Sequence, residues 1–263
     1  MSHVVNLSIV IPAYNESRRL GPYLDNVCAY FDHRGDLYEV LVVDDGSTDD
    51  TADVVIRSSA RNPAVRLIRL SENVGKGAAI RAGMHEARGA HCLFADADGA
   101  TPITEVSRLE AALRSGAHMA IGSRRLACRD ARFQVRATLH RTVIGNAFNV
   151  VTRLMGLRDI RDTQCGFKLF TKAVARDLFS VSRINGYGFD LELLFVAQSR
   201  GYRVAEAPIN WVDQPGTKVR LLRDGVRTVG ELLAIRRNLA LGRYEGGDAP
   251  EMTTEFIPTV LQK

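Results

Sequence analysis

The sequence predicts an α/β fold in which a mostly parallel central sheet is covered by helices on both faces. Two observations carry that expectation: short, nearly continuous apolar runs alternate with amphipathic segments through the first half, and each apolar run ends in a polar cluster. LSIVIP (7–12) reads as the first strand and residues 16–31 as the first helix. YEVLVVDD (38–45) is the second strand, after which Thr48, Asp49 and Asp50 can cap the helix TADVVIRSSA. VRLIRL (65–70) precedes a helix from Lys76, AHCLFADAD precedes the helix PITEVSRLEAALRSG, and AHMAIGS (117–123) is the fifth strand. Sheets of this kind bind ligands beyond the carboxyl ends of their strands. PAYNE, DDGSTD, SENVGKG, DADG and GSRR all fall at those ends and mark one rim.

The second half is less regular. Residues 124–141 hold six arginines and one acid, and LHRTVIGNAFNVVTRLMGL then reads as an amphipathic helix. CGFKLF is a strand, YGFDLELLFVAQSRG a helix ending at Gly201, and VAEAPINWVD a returning strand. PGTK is a loop, followed by a second basic amphipathic helix over 219–241. The expected organisation is a single domain over 1–241, with a ligand-binding half (1–123), a second half (124–241) and a loosely ordered tail over 242–263.

Composition narrows the function classes. A net charge of +5 and a pI near 9.2 point to an anionic partner. Aromatics are sparse and form no basic stacking platform, which argues against nucleic acid. No apolar run reaches the roughly 18 residues of a membrane span, and the N-terminus lacks a basic leader, so neither a transmembrane helix nor a signal peptide is expected. The four cysteines are scattered, as reduced thiols in a cytosolic protein would be.

In extended backbone Asp96 and Asp98 point to one side, and two carboxylates so close call for a proton or a cation. Mg²⁺ or Mn²⁺, shared between these aspartates and substrate phosphates, satisfies them; a pair of turn aspartates is the plainer alternative. Asp44 and Asp45 close the second strand, able to accept from a base or ribose or simply to shape the turn. Pro12, Tyr14 and Glu16 put a flat ring and a carboxylate on the same rim, although Glu16 also suits a first helical turn. Lys76 lies at a helix N-terminus, where backbone N–H groups favour anions, and Arg124 follows the fifth strand, placed to neutralise a leaving diphosphate. Neither a Walker loop nor a GxGxxG fingerprint is present.

In this order and at successive strand ends, these motifs resemble the inverting glycosyltransferases of family 2, with the GT-A fold, over nearly all of residues 6–220. The resemblance implies that PAYNE and DDGS hold a nucleoside and that the Asp96–Asp98 pair, with Ala97 between them in the donor-binding set, holds a metal on a nucleotide-sugar diphosphate. DADGAT, GSR, Asp162–Lys168, Gly188–Glu192 and Trp211-x-x-x-x-Gly216-Thr217-Lys218 look like the branch that loads sugars onto polyprenyl phosphates, similar to dolichyl-phosphate β-glucosyltransferases. Mannosyl relatives carry glutamine where this chain has Ala100 and arginine where it has Gln214-Pro215, which favours a UDP-sugar over GDP-mannose. Many bacterial relatives end in two transmembrane helices, for which no apolar run exists here.

The expectation is therefore a metal-dependent hexosyltransferase moving glucose from a UDP-sugar to polyprenyl or dolichyl phosphate, peripheral on the cytoplasmic face of the membrane. Lys76 and Arg124 would clamp the departing diphosphate. Gln164, Lys168, Lys218 and Arg220 would hold the acceptor. Asp190 is the catalytic candidate should the acceptor be a hydroxyl that needs a base. The two basic amphipathic helices would pack on the core or meet an anionic membrane surface, with a membrane-protein partner replacing the absent anchor. The alternatives are an N-acetylhexosamine or mannose donor, a soluble transferase with a small phosphorylated or hydroxyl acceptor, and a non-catalytic nucleotide-sugar or membrane-binding subunit.

Overall fold

The computed structural model describes residues 5–136, 152–153, 155–157, 159–215, 221–246 and 254–256, and the side chains of all of these except 221–226 and 254–256. β1 (Leu7–Ala13), β2 (Tyr38–Asp44) and β3 (Val65–Leu70) run parallel, and β4 (His91–Ala95) joins β1 on its other side, also parallel. β5 (Met119–Ser123) is separated from β4 by a strand from much later in the chain, β7 (Phe167–Thr171), which is antiparallel to both neighbours. β8 (Val204–Pro208) pairs parallel with β5, while β6 (Val135–Arg136) and β9 (Trp211–Val212) form a separate two-stranded ladder. β10 (Thr254–Phe256) completes an eight-stranded order, β10-β3-β2-β1-β4-β7-β5-β8, among the described residues.

Strand alternation divides the apolar residues between two cores. Ile9, Ile11, Val40, Val42 and Leu93 face α1 (Leu20–Arg34), α2 (Thr51–Arg61) and α4 (Val106–Arg114). Val10, Leu41, Val43 and Phe94 face α3 (Lys76–Glu86), α6 (Lys172–Val181), α7 (Phe189–Ser199) and α8 (Leu221–Ala240), the short helix α5 (Arg124–Ala127) lying at the end of β5. Covered on both faces, the strands need the unbroken apolar runs seen in the sequence.

Three differences from the sequence reading have physical causes. The first helix starts at Leu20 rather than residue 16: the Glu16 N–H is held by the Thr51 hydroxyl at 2.7 Å, and Glu16 O closes a separate turn by accepting from the Arg19 and Leu20 N–H groups at 3.0 Å. The helix α6, absent from that reading, buries Val174, Leu178 and Phe179 at helical spacing. The segment from 242 is not simply loose: Tyr244 is buried, and residues 254–256 pair antiparallel with β3. The helix expected over 139–157 falls mostly outside the described residues. Among the described helices none is long and apolar enough to cross a membrane.

Candidate active site

The strand-end rim forms a pocket of about 240 Å³. Pro12, Tyr14 and Glu16 reach it from the end of β1, Asp45 from the turn after β2, and Lys76 from the start of α3. Asp96, Ala97 and Asp98 enter it from the end of β4. The loops after β1 and β2 hold each other in place. Asn15 N–H donates to Ser47 Oγ at 2.9 Å, and Asn15 Oδ1 accepts from the N–H groups of Thr48 and Asp49 at 2.8 and 3.2 Å. Gly46 turns at φ 67°, where a Cβ would lie 2.4 Å from the Glu72 carbonyl carbon.

Each pocket carboxylate has a defined environment. Glu16 accepts from Arg19 through both oxygens, at 2.7 and 2.6 Å. Asp45 accepts from Val74 N–H at 2.8 Å and Gly75 N–H at 2.9 Å, so the anion at the α3 N-terminus is the protein's own, a correction to the open anion site expected there. Asp96 takes the Lys76 ammonium at 2.6 Å. Burial alone would lower Lys76, but the charges of Asp96 and Asp190 outweigh it and hold the ammonium above the ordinary lysine range. Asp98 accepts from Ala100 N–H at 3.0 Å, and its carboxyl is raised first by burial and then by the charge of Asp96.

That excess negative charge is the observation against which a metal can be tested. Two carboxylates with one residue between them, that of Asp98 raised first by burial and then by the charge of Asp96, fit a hard divalent cation that draws its other ligands from substrate oxygens. Among the described residues no cluster of three or more His, Cys, Asp or Glu supplies a complete protein cage.

Other predicted residues stand elsewhere. Asp44 is fully buried and outside the pocket lining; Oδ1 accepts from Ser47 N–H at 2.9 Å and Oδ2 faces Arg69 at 3.4 Å, contacts that shape the turn. Arg124 grips Asp162 through Nε at 2.8 Å and Nη2 at 2.7 Å and lies over the Trp211 ring, outside the pocket lining. Lys168 is fully buried, donating to Cys165 O at 2.6 Å and to Asp190, which corrects its expected role on the acceptor. The reason is strand alternation: Phe167 and Leu169 face one core, so Lys168 faces the other, beneath the first turn of α7. Asp190 is buried with it, outside the pocket lining but within reach of the charges of Lys76 and Asp96, and burial raises its carboxyl despite Lys168 and Lys76. Gln164 is half-buried and outside the lining; Lys218 and Arg220 lie outside the described residues.

The pocket also contains residues that sequence reasoning passed over. Arg19 belongs to an acid–base pair three residues apart that was visible in ESRR, and Tyr187 directly precedes the noted GFDLE stretch. Arg227 was one of several arginines on the last helix, with no local feature to distinguish it.

Comparison with known proteins agrees with this fold and identifies the family. The family description "Glycosyl transferase family 2" matches residues 8–179. A dolichyl-phosphate beta-glucosyltransferase of Drosophila melanogaster is 40% identical over 228 residues, covering 82% of this chain and 69% of that protein. The Homo sapiens protein of the same name is 36% identical, covering 90% of this chain and 77% of the relative. Among solved structures, glucosyl-3-phosphoglycerate synthase from Mycobacterium tuberculosis, complexed with Mn²⁺, UDP-glucose and phosphoglyceric acid, superposes with a TM-score of 0.64 at 21% identity, covering 97% of this chain and 88% of that one. Its complex with phosphoglyceric acid alone gives a TM-score of 0.67 at 20% identity, with 88% and 79% covered. At that identity the structures establish a shared GT-A architecture, whereas the matches in sequence reach further. This chain belongs to glycosyl transferase family 2 and is a glycosyltransferase.

Proposed function

We propose that this enzyme transfers glucose from UDP-glucose to a polyprenyl phosphate, dolichyl phosphate or a close analogue, with inversion at the anomeric carbon and with Mg²⁺ or Mn²⁺ bound. The observation that carries the acceptor reading is the engagement of the pocket carboxylates. Glu16 is held by Arg19, Asp45 by two backbone N–H groups, Asp96 by Lys76 and Asp98 by Ala100 N–H. Asp190, the candidate base, is buried on Lys168. A hydroxyl acceptor needs a base within hydrogen-bond reach. A phosphate monoester is already anionic near neutral pH and needs none. The relatives' names support the same acceptor and sugar.

Asp96 and Asp98 would hold the metal, which when bound supplies positive charge to the donor diphosphate. The exposed Tyr14 ring offers a stacking face for the base, and Lys76, which lines the pocket, would set a fixed ammonium beside the departing diphosphate. The acceptor oxygen forms its bond to C1 as the C1–O bond breaks, and the electron pair leaves on UDP. The α8 segment supports a membrane-surface location: Val229, Leu233 and Leu241 are three of the six exposed large apolar side chains among the described residues, with Arg236 and Arg237 alongside.

The test is radiolabel transfer from UDP-glucose, UDP-N-acetylglucosamine and GDP-mannose to polyprenyl phosphate with Mn²⁺ or Mg²⁺, with phosphoglyceric acid as a soluble acceptor in parallel. Organic-phase label from UDP-glucose alone, lost in Asp98→Ala, is expected. Label confined to the aqueous phase would move the acceptor to a small phosphorylated molecule.

A further inference from the structure

Three cations and four carboxylates line the pocket, so without a metal it disfavours anions. Two of the cations are matched at close range, Arg19 by both oxygens of Glu16 and Lys76 by Asp96. Arg227 differs. Its Nε donates to Glu231 Oε1 at 3.1 Å, its side chain is 63% exposed, and among the described residues nothing engages its two terminal nitrogens.

Glu231 separates Arg227 from an ordinary solvated arginine. Its side chain is only 14% exposed, and its Oε2 accepts from Gly188 N–H at 2.7 Å. A Cβ on Gly186 would lie 2.1 Å from Oε1, so the carboxylate is seated closely against this loop. One side chain thus ties α8 to the segment before α7 and orients the guanidinium at the pocket wall beside Gly186 and Tyr187.

We propose that Arg227 anchors the acceptor phosphate, its terminal nitrogens binding the phosphate monoester that attacks the sugar, and that Glu231 is its positioning residue. The inference deepens the proposed function and rests on it. Lys76, Asp96 and Asp98 reach the pocket from α3 and β4 and serve the donor diphosphate. An inverting displacement brings the nucleophile to the face of C1 opposite that leaving group. Arg227 enters from α8, in the other half of the chain. Two anions meeting at one carbon need a second cation to offset their repulsion, and the guanidinium fork matches phosphate oxygens in pairs.

Steady-state kinetics with UDP-glucose, Mn²⁺ and polyprenyl phosphate test the assignment. Arg227→Ala should raise the acceptor KM roughly tenfold to a hundredfold, as loss of a charge-assisted hydrogen bond does, and leave the donor KM and UDP binding within about twofold. Arg227→Lys should recover part of that loss by keeping the charge without the fork. Glu231→Gln should raise the acceptor KM by less than Arg227→Ala. Because Arg227 is exposed, Arg227→Ala should unfold at the wild-type midpoint. A rise in donor KM instead, or no change in either KM, overturns the inference while the proposed function stands. Wild-type enzyme that transfers nothing to polyprenyl phosphate overturns both.

Discussion

At Asp96 three parts of the chain meet. The carboxylate takes the Lys76 ammonium, its N–H donates to Gly166 O at 3.1 Å, and a Cβ on Gly166 would lie 1.9 Å from Oδ2. Gly166→Ala must therefore push the carboxylate aside. A displacement near 1 Å in a catalytic group costs on the order of a hundredfold, so kcat/KM should fall by about that factor with little change in the unfolding midpoint. Unchanged kcat/KM would remove Asp96 from the reacting centre. The neighbouring Lys168–Asp190 pair behaves differently because it is buried. Lys168→Ala leaves a carboxylate without its partner and should cost about 3–5 kcal/mol, whereas Lys168→Met with Asp190→Leu should recover most of it. Urea unfolding reads both. A fully stable Lys168→Ala enzyme with a raised acceptor KM would restore Lys168 to the acceptor site.

At the scale of elements, side chains distant in sequence hold the pocket wall in place. Glu192, fully buried on α7, accepts from Arg183 N–H at 2.9 Å, Ile184 N–H at 3.0 Å and Tyr244 Oη at 2.7 Å. This fixes the stretch leading to Gly186 and Tyr187. Tyr244→Phe removes one hydrogen bond from a buried carboxylate and should cost about 1.5–3 kcal/mol, read as a shift in urea midpoint. An unshifted midpoint would mean that the segment after α8 contributes nothing to this wall. The Arg124–Asp162 pair links α5 to β8, since Asp162 N–H donates to Glu206 Oε1 at 3.0 Å. Burial by itself would raise Asp162, but the charge and hydrogen bonds of Arg124 hold it below the usual carboxylate range. A depressed folded pKa stabilises above the unfolded value of about 3.9, and that contribution is lost as pH falls below it. Wild-type stability should therefore decline through that acid window, and Asp162→Asn should be less stable at neutral pH with a flatter acid limb. Parallel acid limbs for the two proteins would exclude this pair as the source.

For the molecule as a whole, charge and exposed apolar surface make the proposed membrane contact testable. The chain carries +5, and the α8 segment exposes Leu233 at 60% and Leu241 at 57%. Cosedimentation with vesicles containing anionic lipid should exceed that with neutral vesicles, weaken at high salt, and drop severalfold in Leu233→Glu. Equal sedimentation with both vesicle types, unaffected by the variant, would leave α8 as a packing helix only.

Periodicity and order determined much of this protein before any coordinates. Apolar runs between helices identified the covered parallel sheet, because strands buried on both faces cannot alternate with polar residues. Polar clusters at successive strand ends located the pocket, because strands running the same way bring those ends to one rim. Pro12, Tyr14, Glu16, Asp45, Lys76, Asp96 and Asp98, all of which line it, were legible from those strand ends, whereas Ala97 came only with the family resemblance. Contacts across long sequence separations were not. The insertion of β7 between β4 and β5 decided that Lys168 faces Asp190 in the core and that Gly166 lies against Asp96. Docking of α8 decided that Arg227, one arginine among several, reaches the pocket. Local spacing specifies which side of an element a residue occupies, and only tertiary packing specifies what waits there.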